Sequence, residues 1–498
     1  MGKIGKTQNS LSALGFAGQP KGLAALYFTE LWERFSYYGM RALLVLFMVA
    51  AASDGGLGFT AEDAGRIYGN YTMAIYMLAI PGGFIADRLI GARRAVLWGG
   101  STIAAGHYAL AVPSQASFYL GLLLIALGTG LFKPNISALV GALYAKDDER
   151  RDAGFSIFYM GINVGAFFAP LVTGFLAQSA WFKAWLAGNG FDPAKSWHWG
   201  FAAAGAGMTL AMIIFARNAR GLANPANDDA AGDRTQVGRD GIVIALGTLA
   251  LLSLALASDL EGWQWLRWMF VALPVAAIVY GVHQQSADAH RLAAIGVLFI
   301  AAMIFWALFE QAGSTMALFA DQLTRAELAG LPFPTSWFQS INPIFVILLA
   351  PLFAALWLRL GARQPSAPVK FAIALVFLSL SFALMVPAAK LAGEGKVSPL
   401  WLVGLYFLQT VGEMCISPVG LSTMTKLAPA RMTGLVLGLW FLASAFGNKL
   451  AGVLAGGFTS SDTGALASSF LLQAGVVAGV AVAMFIAAPW VKRLAGQG

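Results

Sequence analysis

The sequence predicts an all-α polytopic membrane protein with about fourteen transmembrane helices. Two observations lead to this fold class. Hydrophobic residues make up 58% of the 498 residues and charged residues only 11%, whereas a soluble domain carries about 25% charged residues. Apolar windows of about 20 residues, the length that crosses a bilayer, recur along nearly the whole chain. We therefore expect the lipid bilayer to be its solvent.

The apolar windows define the individual spans. The predicted spans cover residues 24–51, 59–87, 95–112, 116–142, 153–180, 197–216, 241–258, 264–282, 292–320, 335–358, 369–389, 399–425, 432–456 and 466–490. The N-terminus shows no short apolar stretch followed by a small-residue cleavage site, so we expect the first span itself to start insertion.

The distribution of basic residues predicts the orientation. With the N-terminus inside, the cytoplasmic segments hold 21 Lys and Arg, the external loops seven and the spans four. By the positive-inside rule, this bias places both termini in the cytoplasm. The net charge of +8 is then explained by topology, and we expect no nucleic-acid partner.

A polar stretch and a short repeated loop sequence predict the domain boundaries. Residues 217–240 are too polar to span a membrane, and the two spans that follow hold no charged residue except Arg267, which we assign to an external turn. The loop ADRLIGARRAV after the second span is echoed by LRLGARQPS after the span at 335–358. Two parallel six-helix halves are typical of the major facilitator superfamily. We predict an N-terminal bundle, a cytoplasmic linker, two inserted helices and a C-terminal bundle at 1–216, 217–240, 241–291 and 292–498.

Cysteine and histidine usage argues against a metal centre or an enzyme. Cys415 stands alone, so neither an intramolecular disulfide nor a thiolate metal cluster can form. The histidines show no helical pairing; they are His107, His198, His283 and His290. We expect no cofactor.

The first span carries a polar stripe. In ELWERFSYYGMR the polar positions have offsets 0, 3, 4, 7, 8 and 11, which is one face of a helix. They are Glu30, Glu33, Arg34, Tyr37, Tyr38 and Arg41. A salt-bridge seam is the alternative, because Glu30 and Arg34 form an i,i+4 pair. A salt-bridge seam alone does not explain why two acids, two phenols and a second arginine share this face, so we expect the face to line a cavity.

Further charges lie inside other spans. An ionisable residue at a helix centre costs about 2.5–3.5 kcal/mol on insertion scales, so each needs a wet cavity or a partner. Lys133 precedes Pro134, Glu310 lies in FWALFEQAGS and Glu413 lies in QTVGEMCISPVG. With Lys449, the spans hold four acids and four bases, which suggests mutual neutralisation. A snorkelling lysine and capped buried acids remain the alternatives.

These charges suit a zwitterion. Arg41 and Lys133 can meet a carboxylate, while Glu413 can meet an ammonium some distance away. Tyrosines and asparagines are candidates to hold a peptide bond, and tryptophans are candidate cavity walls. A lone Trp or Tyr in a span is more often a packing residue or an interface anchor, and that alternative stays open. These candidates are Tyr37, Tyr38, Tyr76, Asn163, Asn342, Trp306, Trp337 and Trp440.

Several motifs carry a family resemblance. ELWERFSYYG, GGFIADRLIGARR, GTGLFKPNIS and FSIFYMGINVGAF follow in order in the first half. FWALFEQAGS, WFQSINPIF, SPVGLSTMTKLAP and GLWFLASAFGNKLAG follow in the second. Together they resemble the proton-dependent oligopeptide transporters, a branch of the major facilitator superfamily. The resemblance implies a proton-coupled symporter of di- and tripeptides in a bacterial inner membrane, driven by the proton gradient. We expect a monomer, because each chain has its own complete cavity.

The resemblance also implies residue roles. Proton coupling falls to Glu30, Glu33, Arg34 and Glu310, and the outer and inner gates to the pairs Arg41–Glu310 and Lys133–Glu413. Apart from the resemblance, we expect the cytoplasmic Asp87, Arg88, Arg93 and Arg94 to brace the inner helix ends and not to bind substrate. The substrate pocket would comprise Tyr37, Tyr38, Arg41, Tyr76, Lys133, Asn163, Glu310, Asn342, Glu413, Ser417 and Trp440.

One departure and several rivals qualify this hypothesis. Some members carry a proton-handling histidine in the second span, and this chain has none there, so the carboxylates would have to carry the proton. A different cargo such as nitrate, a drug or a metabolite is the nearest rival. A proton-translocating respiratory subunit, a membrane enzyme and a peptide sensor without transport are the others.

Overall fold

The computed structural model describes residues 18–145, 148–222, 234–283, 286–328, 330–428 and 433–495. The helices are α1 (Lys21–Val49), α2 (Ala61–Ile85), α3 (Ala92–Leu110), α4 (Gln115–Gly141), α5 (Arg151–Gln178), α6 (Ala180–Gly188), α7 (Ser196–Asn218), α8 (Arg234–Ala257), α9 (Met269–His283), α10 (Ala287–Phe309), α11 (Thr315–Gln322), α12 (Ile341–Leu360), α13 (Ala367–Leu391), α14 (Leu400–Leu427), α15 (Thr433–Ala455) and α16 (Thr463–Leu494). A short antiparallel hairpin joins β1 (Glu327–Leu328) to β2 (Leu331–Pro332).

The prediction of a polytopic helical membrane protein is confirmed. Within the described ranges, eleven helices are long and apolar enough to cross a membrane. Three further helical segments coincide with predicted spans. They are α1, which carries buried charge, α3, which begins with two arginines, and the shorter stretch Gln264–Tyr280. The total of fourteen spans and the cytoplasmic placement of both termini stay predictions.

The span predicted at 292–320 is not one continuous helix. α10 ends at Phe309, a 3-10 turn covers Glu310–Gly313, and α11 begins at Thr315. Ser314 leaves the helical region with φ −130° and ψ −92°. Glycine and serine have low helix propensity, and the Gln339 side-chain amide donates to the Ala312 carbonyl that the break exposes. The break places Glu310 at the end of a helix instead of within one.

Other boundaries differ near the connections. α8 begins at Arg234, inside the predicted linker, and residues 223–233 of that linker lie outside the described residues. The loop after α5 contains the unpredicted helix α6, whose N-terminus is capped by Ser179 Oγ accepting from the Phe182 amide. Capping of this kind satisfies a backbone donor that would otherwise lack a partner.

One compact unit takes in the described residues up to Arg41 together with Leu78–Leu249. Within it, α3 packs against α4 and α7, and α5 packs against α7. Glycines set the closest approaches: a Cβ on Gly165 of α5 would lie 2.2 Å from the Leu31 carbonyl oxygen of α1. Only glycine permits this contact, so α5 lies directly against the face of α1 that carries the polar stripe.

The second compact unit takes in Ala42–Met77 together with the described residues from Ala250 onward. Within it, α13 packs against both α14 and α16, α10 packs against α15, and α12 packs against α14. A Cβ on Gly412 of α14 would lie 2.9 Å from the Ala374 carbonyl oxygen of α13. This close packing fixes the position of α14, and with it that of the neighbouring Glu413, relative to α13.

Candidate functional site

The polar stripe of α1 forms a buried charge cluster. Arg34 donates from Nη2 to Glu33 Oε1 at 2.7 Å and from Nε to the other Glu33 oxygen. Arg34 Nε also lies 3.2 Å from Glu30 Oε1. All three side chains are at most 6% exposed. We call Glu30, Glu33 and Arg34 the α1 cluster.

The α1 cluster holds more acid than base. Two carboxylates share one guanidinium, and in the described part of the chain Glu30 Oε2 is buried without a hydrogen-bond partner. Desolvating an ionised oxygen without a partner is costly. A proton on Glu30 removes that cost while leaving Arg34 paired with Glu33. The cluster is therefore suited to take up and release a proton.

Neighbouring helices fix the α1 cluster in place. A Cβ on Gly165 would lie 3.1 Å from Arg34 Cβ, so α5 covers the arginine closely. One turn further along, Thr173 Oγ1 donates to the Gly39 carbonyl at 3.1 Å. These contacts restrict the rotation of α1 about its axis, which keeps the polar face turned in one direction.

Aromatic rings extend the stripe beyond the cluster. The Arg34 guanidinium carbon lies 5.2 Å from the centre of the Tyr37 ring, and that of Arg41 lies 5.8 Å from the centre of the Tyr38 ring. The two tyrosine rings meet edge to face at 5.2 Å. Stacking over a ring stabilises a cation. The predicted stripe is thus a continuous ladder of charges and rings.

Two further predicted residues lie in the same unit. Lys133 is half-buried on α4 beside Pro134. Near it, α4 and α2 touch, because a Cβ on Gly82 would lie 2.0 Å from the Gly130 carbonyl oxygen. Asn163 is 7% exposed, and its amide donates to the Tyr159 carbonyl of its own helix at 3.1 Å. Its side-chain oxygen is the atom left to accept from a ligand.

The second unit contains an acid that accepts a hydrogen bond from a neutral amide. Asn342 Nδ2 lies 3.0 Å from Glu413 Oε2 and also 3.0 Å from Thr410 Oγ1. Thr410 Oγ1 in turn donates to the Tyr406 carbonyl at 2.7 Å. An amide stabilises a carboxylate without neutralising it. The Asn342 amide therefore favours the ionised form of Glu413, the form that an ammonium group can meet.

Glu310 lies at the helix break of the same unit and is 6% exposed. The adjacent Gln311 is fully buried, and its amide donates to Gln473 Oε1 of α16 at 2.8 Å. This buried amide pair ties the 3-10 turn to α16. A break in a buried helix offers a place where a side chain can change direction, which suits an acid that exchanges partners.

The other predicted pocket residues have packing contacts of their own. The Trp440 ring fills the space beside Gly420, where a Cβ would lie 2.1 Å from it, and faces the Phe371 ring at 6.4 Å. Tyr76 and Ser417 are half-buried, and within the described residues Ser417 Oγ has no hydrogen-bond partner. A role for these three in a pocket stays a prediction.

The predicted inner brace lies on a distorted turn. Asp87 and Arg88 are exposed on the π turn Ala86–Ile90, which ends at Gly91 with φ 81°. The nearby Arg93 Nη1 donates to the Ala219 carbonyl after α7 at 3.1 Å. Their exposure is compatible with the conformational role predicted for them, which stays a prediction.

One cluster escaped the sequence analysis. Lys449 Nζ on α15 donates to Asp259 Oδ2 and to Asn70 Oδ1, each at 2.6 Å. Asn70 Nδ2 donates to Asp259 Oδ2 at 2.8 Å. We call Asn70, Asp259 and Lys449 the insert cluster. The expectation that an acid within a span neutralises Lys449 is wrong, because Asp259 comes from the turn between the inserted helices.

A second basic residue was misassigned. The total of 21 cytoplasmic Lys and Arg includes Lys370, although this residue lies at the start of the predicted span 369–389. Its side chain is buried near the start of α13. Its ammonium lies 4.1 Å from the centre of the Trp357 ring and 2.7 Å from Gln364 Oε1. The sequence gives no signal for either contact, because both partners lie in the preceding helix end and loop.

Known proteins match this chain in sequence and in fold. The sequence pattern of the POT family matches residues 93–470. The chain is 42% identical over 458 residues to an uncharacterised transporter, YclF, of Bacillus subtilis, covering 90% of each chain. It is 40% identical over 476 residues to the peptide transporter YePEPT of Yersinia enterocolitica, covering 90% of this chain and 89% of the relative. A crystal structure of peptide transporter POT in complex with sulfate superposes with a TM-score of 0.82 at 39% identity, covering 98% and 99% of the two chains.

Proposed function

Since this chain belongs to the POT family, the proton-dependent oligopeptide transporters, we propose that it imports di- and tripeptides together with protons. The observation that carries this proposal is the α1 cluster. It buries two carboxylates against one guanidinium on a single helix face and leaves one carboxylate oxygen unpartnered among the described residues. Protonation of a buried carboxylate oxygen that lacks a partner removes the cost of its desolvation. A proton-driven carrier requires a group that changes its protonation state in this way.

The two ends of a peptide call for opposite charges. Arg41 and Lys133 are the proposed partners of the substrate carboxylate, and Glu413 is the proposed partner of its ammonium. Glu413 accepts a hydrogen bond from the neutral Asn342 amide, which supports this role. Tyr37, Tyr38, Tyr76, Asn163, Asn342, Ser417 and Trp440 complete the proposed pocket.

We propose alternating access with charge pairs as gates. A proton on Glu310 releases Arg41 on the outer side, and peptide binding then draws Lys133 and Glu413 onto the ligand. A later proton on the α1 cluster helps inward opening. Entry of one positive charge gains about 2.3 kcal/mol per 100 mV of membrane potential, added to any pH difference.

The proposed function also specifies the domains, the membrane, the oligomeric state and the energy source of the protein. The domain division at 1–216, 217–240, 241–291 and 292–498, with Asp87 and Arg88 bracing the inner helix ends, is proposed for the transport cycle. We place the protein in a bacterial inner membrane, with both termini cytoplasmic. It acts as a monomer, because each chain supplies all the proposed binding residues, and it uses the proton gradient in place of a cofactor.

Uptake by purified protein in proteoliposomes tests this function. Labelled dialanine is supplied outside and an inward proton gradient is imposed. We expect accumulation above equilibrium that a protonophore abolishes. Glu413→Gln should weaken uptake of dialanine, while an exposed substitution on α2, Asp63→Asn, should leave it unchanged.

The same assay separates peptide transport from its rivals. Nitrate or 5-aminolevulinic acid, the ligand of one related transporter structure, is added in excess as competitor. If one of these compounds displaced bound dialanine while dialanine itself was not transported, the cargo would be a different one. Binding of dialanine without any movement would assign a sensor.

A further inference from the structure

The turn between the inserted helices is joined to α2 and α15 within the second compact unit through the insert cluster. Asp259 lies just after α8 and is 8% exposed, and Lys449 on α15 is 1% exposed. Asn70 of α2 contacts both, so the three side chains form a closed triangle of hydrogen bonds between 2.6 and 2.8 Å long. Arg267 approaches the other oxygen of Asp259 at 3.5 Å. The turn of the insert thereby contacts two helices at once.

The insert cluster lies beside a direct backbone crossing of α2 and α15. A Cβ on Gly452 would lie 2.4 Å from the Gly65 carbonyl oxygen and 2.6 Å from Gly69 Cα. Asn70 follows Gly69 directly, and Lys449 lies one helical turn before Gly452. Small residues let two helices touch but supply little attraction beyond packing. The charged triangle adds a specific bond next to this contact.

The outer face of the insert is built for lipid. The span Gly238–Ala257 is only 11% buried within the protein. Trp263, Trp265 and Trp268 in the turn are 51%, 59% and 74% exposed, and the first two rings stack at 6.3 Å. Tryptophan is enriched where a membrane meets water. One side of the turn therefore contacts the interface while the other holds Lys449.

We propose that Asp259 is a positioning residue of the transport cycle, through which the inserted pair latches the α2–α15 crossing at its predicted external end. The latch closes in the conformation described here and opens when α2 and α15 separate. Asp259 contacts no proposed substrate-binding residue, so it acts through helix position. The inserted pair is then part of the moving machinery, in contrast to the passive structural insert that its lack of charge suggests.

The alternative to a latch is simple neutralisation. A buried ammonium without a counter-ion is strongly unfavourable, whereas replacing both partners of a buried pair by neutral groups is frequently tolerated. Asp259→Asn alone would therefore disturb folding under either explanation. The double variant Asp259→Asn/Lys449→Met removes the unpaired charge and the bond together, so it separates the two roles.

Distance measurement by pulsed electron paramagnetic resonance tests the latch. Spin labels are placed on Ser53→Cys and Ser460→Cys, two exposed positions in the loops that flank α2 and α15, in a Cys415→Ser background. We expect the double variant to unfold at the same temperature as the parent, yet to populate a longer label separation about tenfold more often. The measurement needs no substrate, so its outcome is independent of whether peptides are the cargo.

A matched control lies on the same helix. Asp63 pairs with Arg66 at 2.6 Å, but both side chains are more than 40% exposed. Asp63→Asn should leave the label distances unchanged. If the double variant kept the parent label distances, Asp259 would serve neutralisation alone and the latch would be overturned. A shift of equal size in Asp63→Asn would overturn it as well.

Discussion

The α1 cluster and the insert cluster bury charge to a similar depth but are assembled in opposite ways. In the α1 cluster all three charged residues lie within two turns of one helix, and Glu30 and Arg34 are an i,i+4 pair. In the insert cluster the partners of Lys449 are 190 and 379 residues away. The first is a property of helix periodicity, while the second exists only once three segments have packed together.

The charge balance also differs between the two clusters. The α1 cluster has an excess acid, and one of its oxygens is unpartnered in the described part of the chain. In the insert cluster Asp259 pairs with Lys449 and approaches Arg267, so its carboxylate is saturated with donors. The difference indicates two functions for buried charge. An unsatisfied acid suits proton exchange, and a satisfied pair suits mechanical connection.

The largest expected effect comes from removing one acid of the α1 cluster, Glu33, because the remaining Glu30 carboxylate is then matched one to one by Arg34 and the cluster loses its additional acid. Glu33→Gln should lower the accumulation ratio of dialanine to about one, because entry is no longer driven by the proton gradient. Peptide exchange between the two sides of the vesicle should persist, since the binding residues are intact. Accumulation and counterflow are measured on the same preparation, and undiminished accumulation by Glu33→Gln would remove the coupling role of the α1 cluster.

The next effect is on stability. Asp259→Asn leaves the Lys449 ammonium buried without its counter-ion, which we expect to cost about 3–5 kcal/mol of unfolding free energy. Thermal and denaturant unfolding in detergent measure the loss. The variant Lys449→Met should cost less, because Asp259 retains Arg267 at 3.5 Å. Equal losses in the two single variants would contradict the charge distribution described here.

A smaller effect concerns selectivity. Glu413→Gln should raise the KM for dialanine about tenfold, the loss expected for one charge-assisted contact. N-acetylated dialanine lacks the ammonium and should be affected far less. Competition by the two compounds is compared in wild type and Glu413→Gln. If both compounds lost affinity equally, Glu413 would not face the substrate ammonium.

The smallest effect is expected at the exposed pair on α2. Asp63→Asn breaks an ion pair whose side chains are 49% and 44% exposed, and we expect about 0.5 kcal/mol or less. Unfolding of this variant is recorded beside that of Asp259→Asn. A loss comparable to that of Asp259→Asn would mean that burial is not what makes the insert cluster strong.

The contrast between the clusters also explains what could be predicted. The α1 stripe was predictable because helix periodicity alone brings Glu30, Glu33 and Arg34 to one face, and the structure confirms that they cluster. The family resemblance and the polytopic helical fold were also confirmed. Both were predictable because they depend on local motifs and apolar runs. The roles of the individual site residues stay predictions.

The rest depended on tertiary packing. Asp259 looked like an ordinary loop acid, and Lys449 looked like a partner for an acid within the spans. Neither carries a local signal for the other, because the contact requires the inserted turn to pack on α2 and α15. The break at Glu310–Gly313 was missed because its neighbours are apolar enough to read as one span. Lys370 was misassigned because its ring partner lies across a helix connection.

Proton entry during peptide uptake tests the central claim most directly. Proteoliposomes carry a pH-sensitive dye inside, and dialanine is added outside with the membrane potential held negative inside. The account predicts that dialanine acidifies the interior for the wild type and for Asp63→Asn. Glu33→Gln should show no acidification, although it exchanges labelled dialanine in vesicles loaded with unlabelled dialanine. Equal acidification by wild type and Glu33→Gln would contradict the assignment of proton coupling to the α1 cluster.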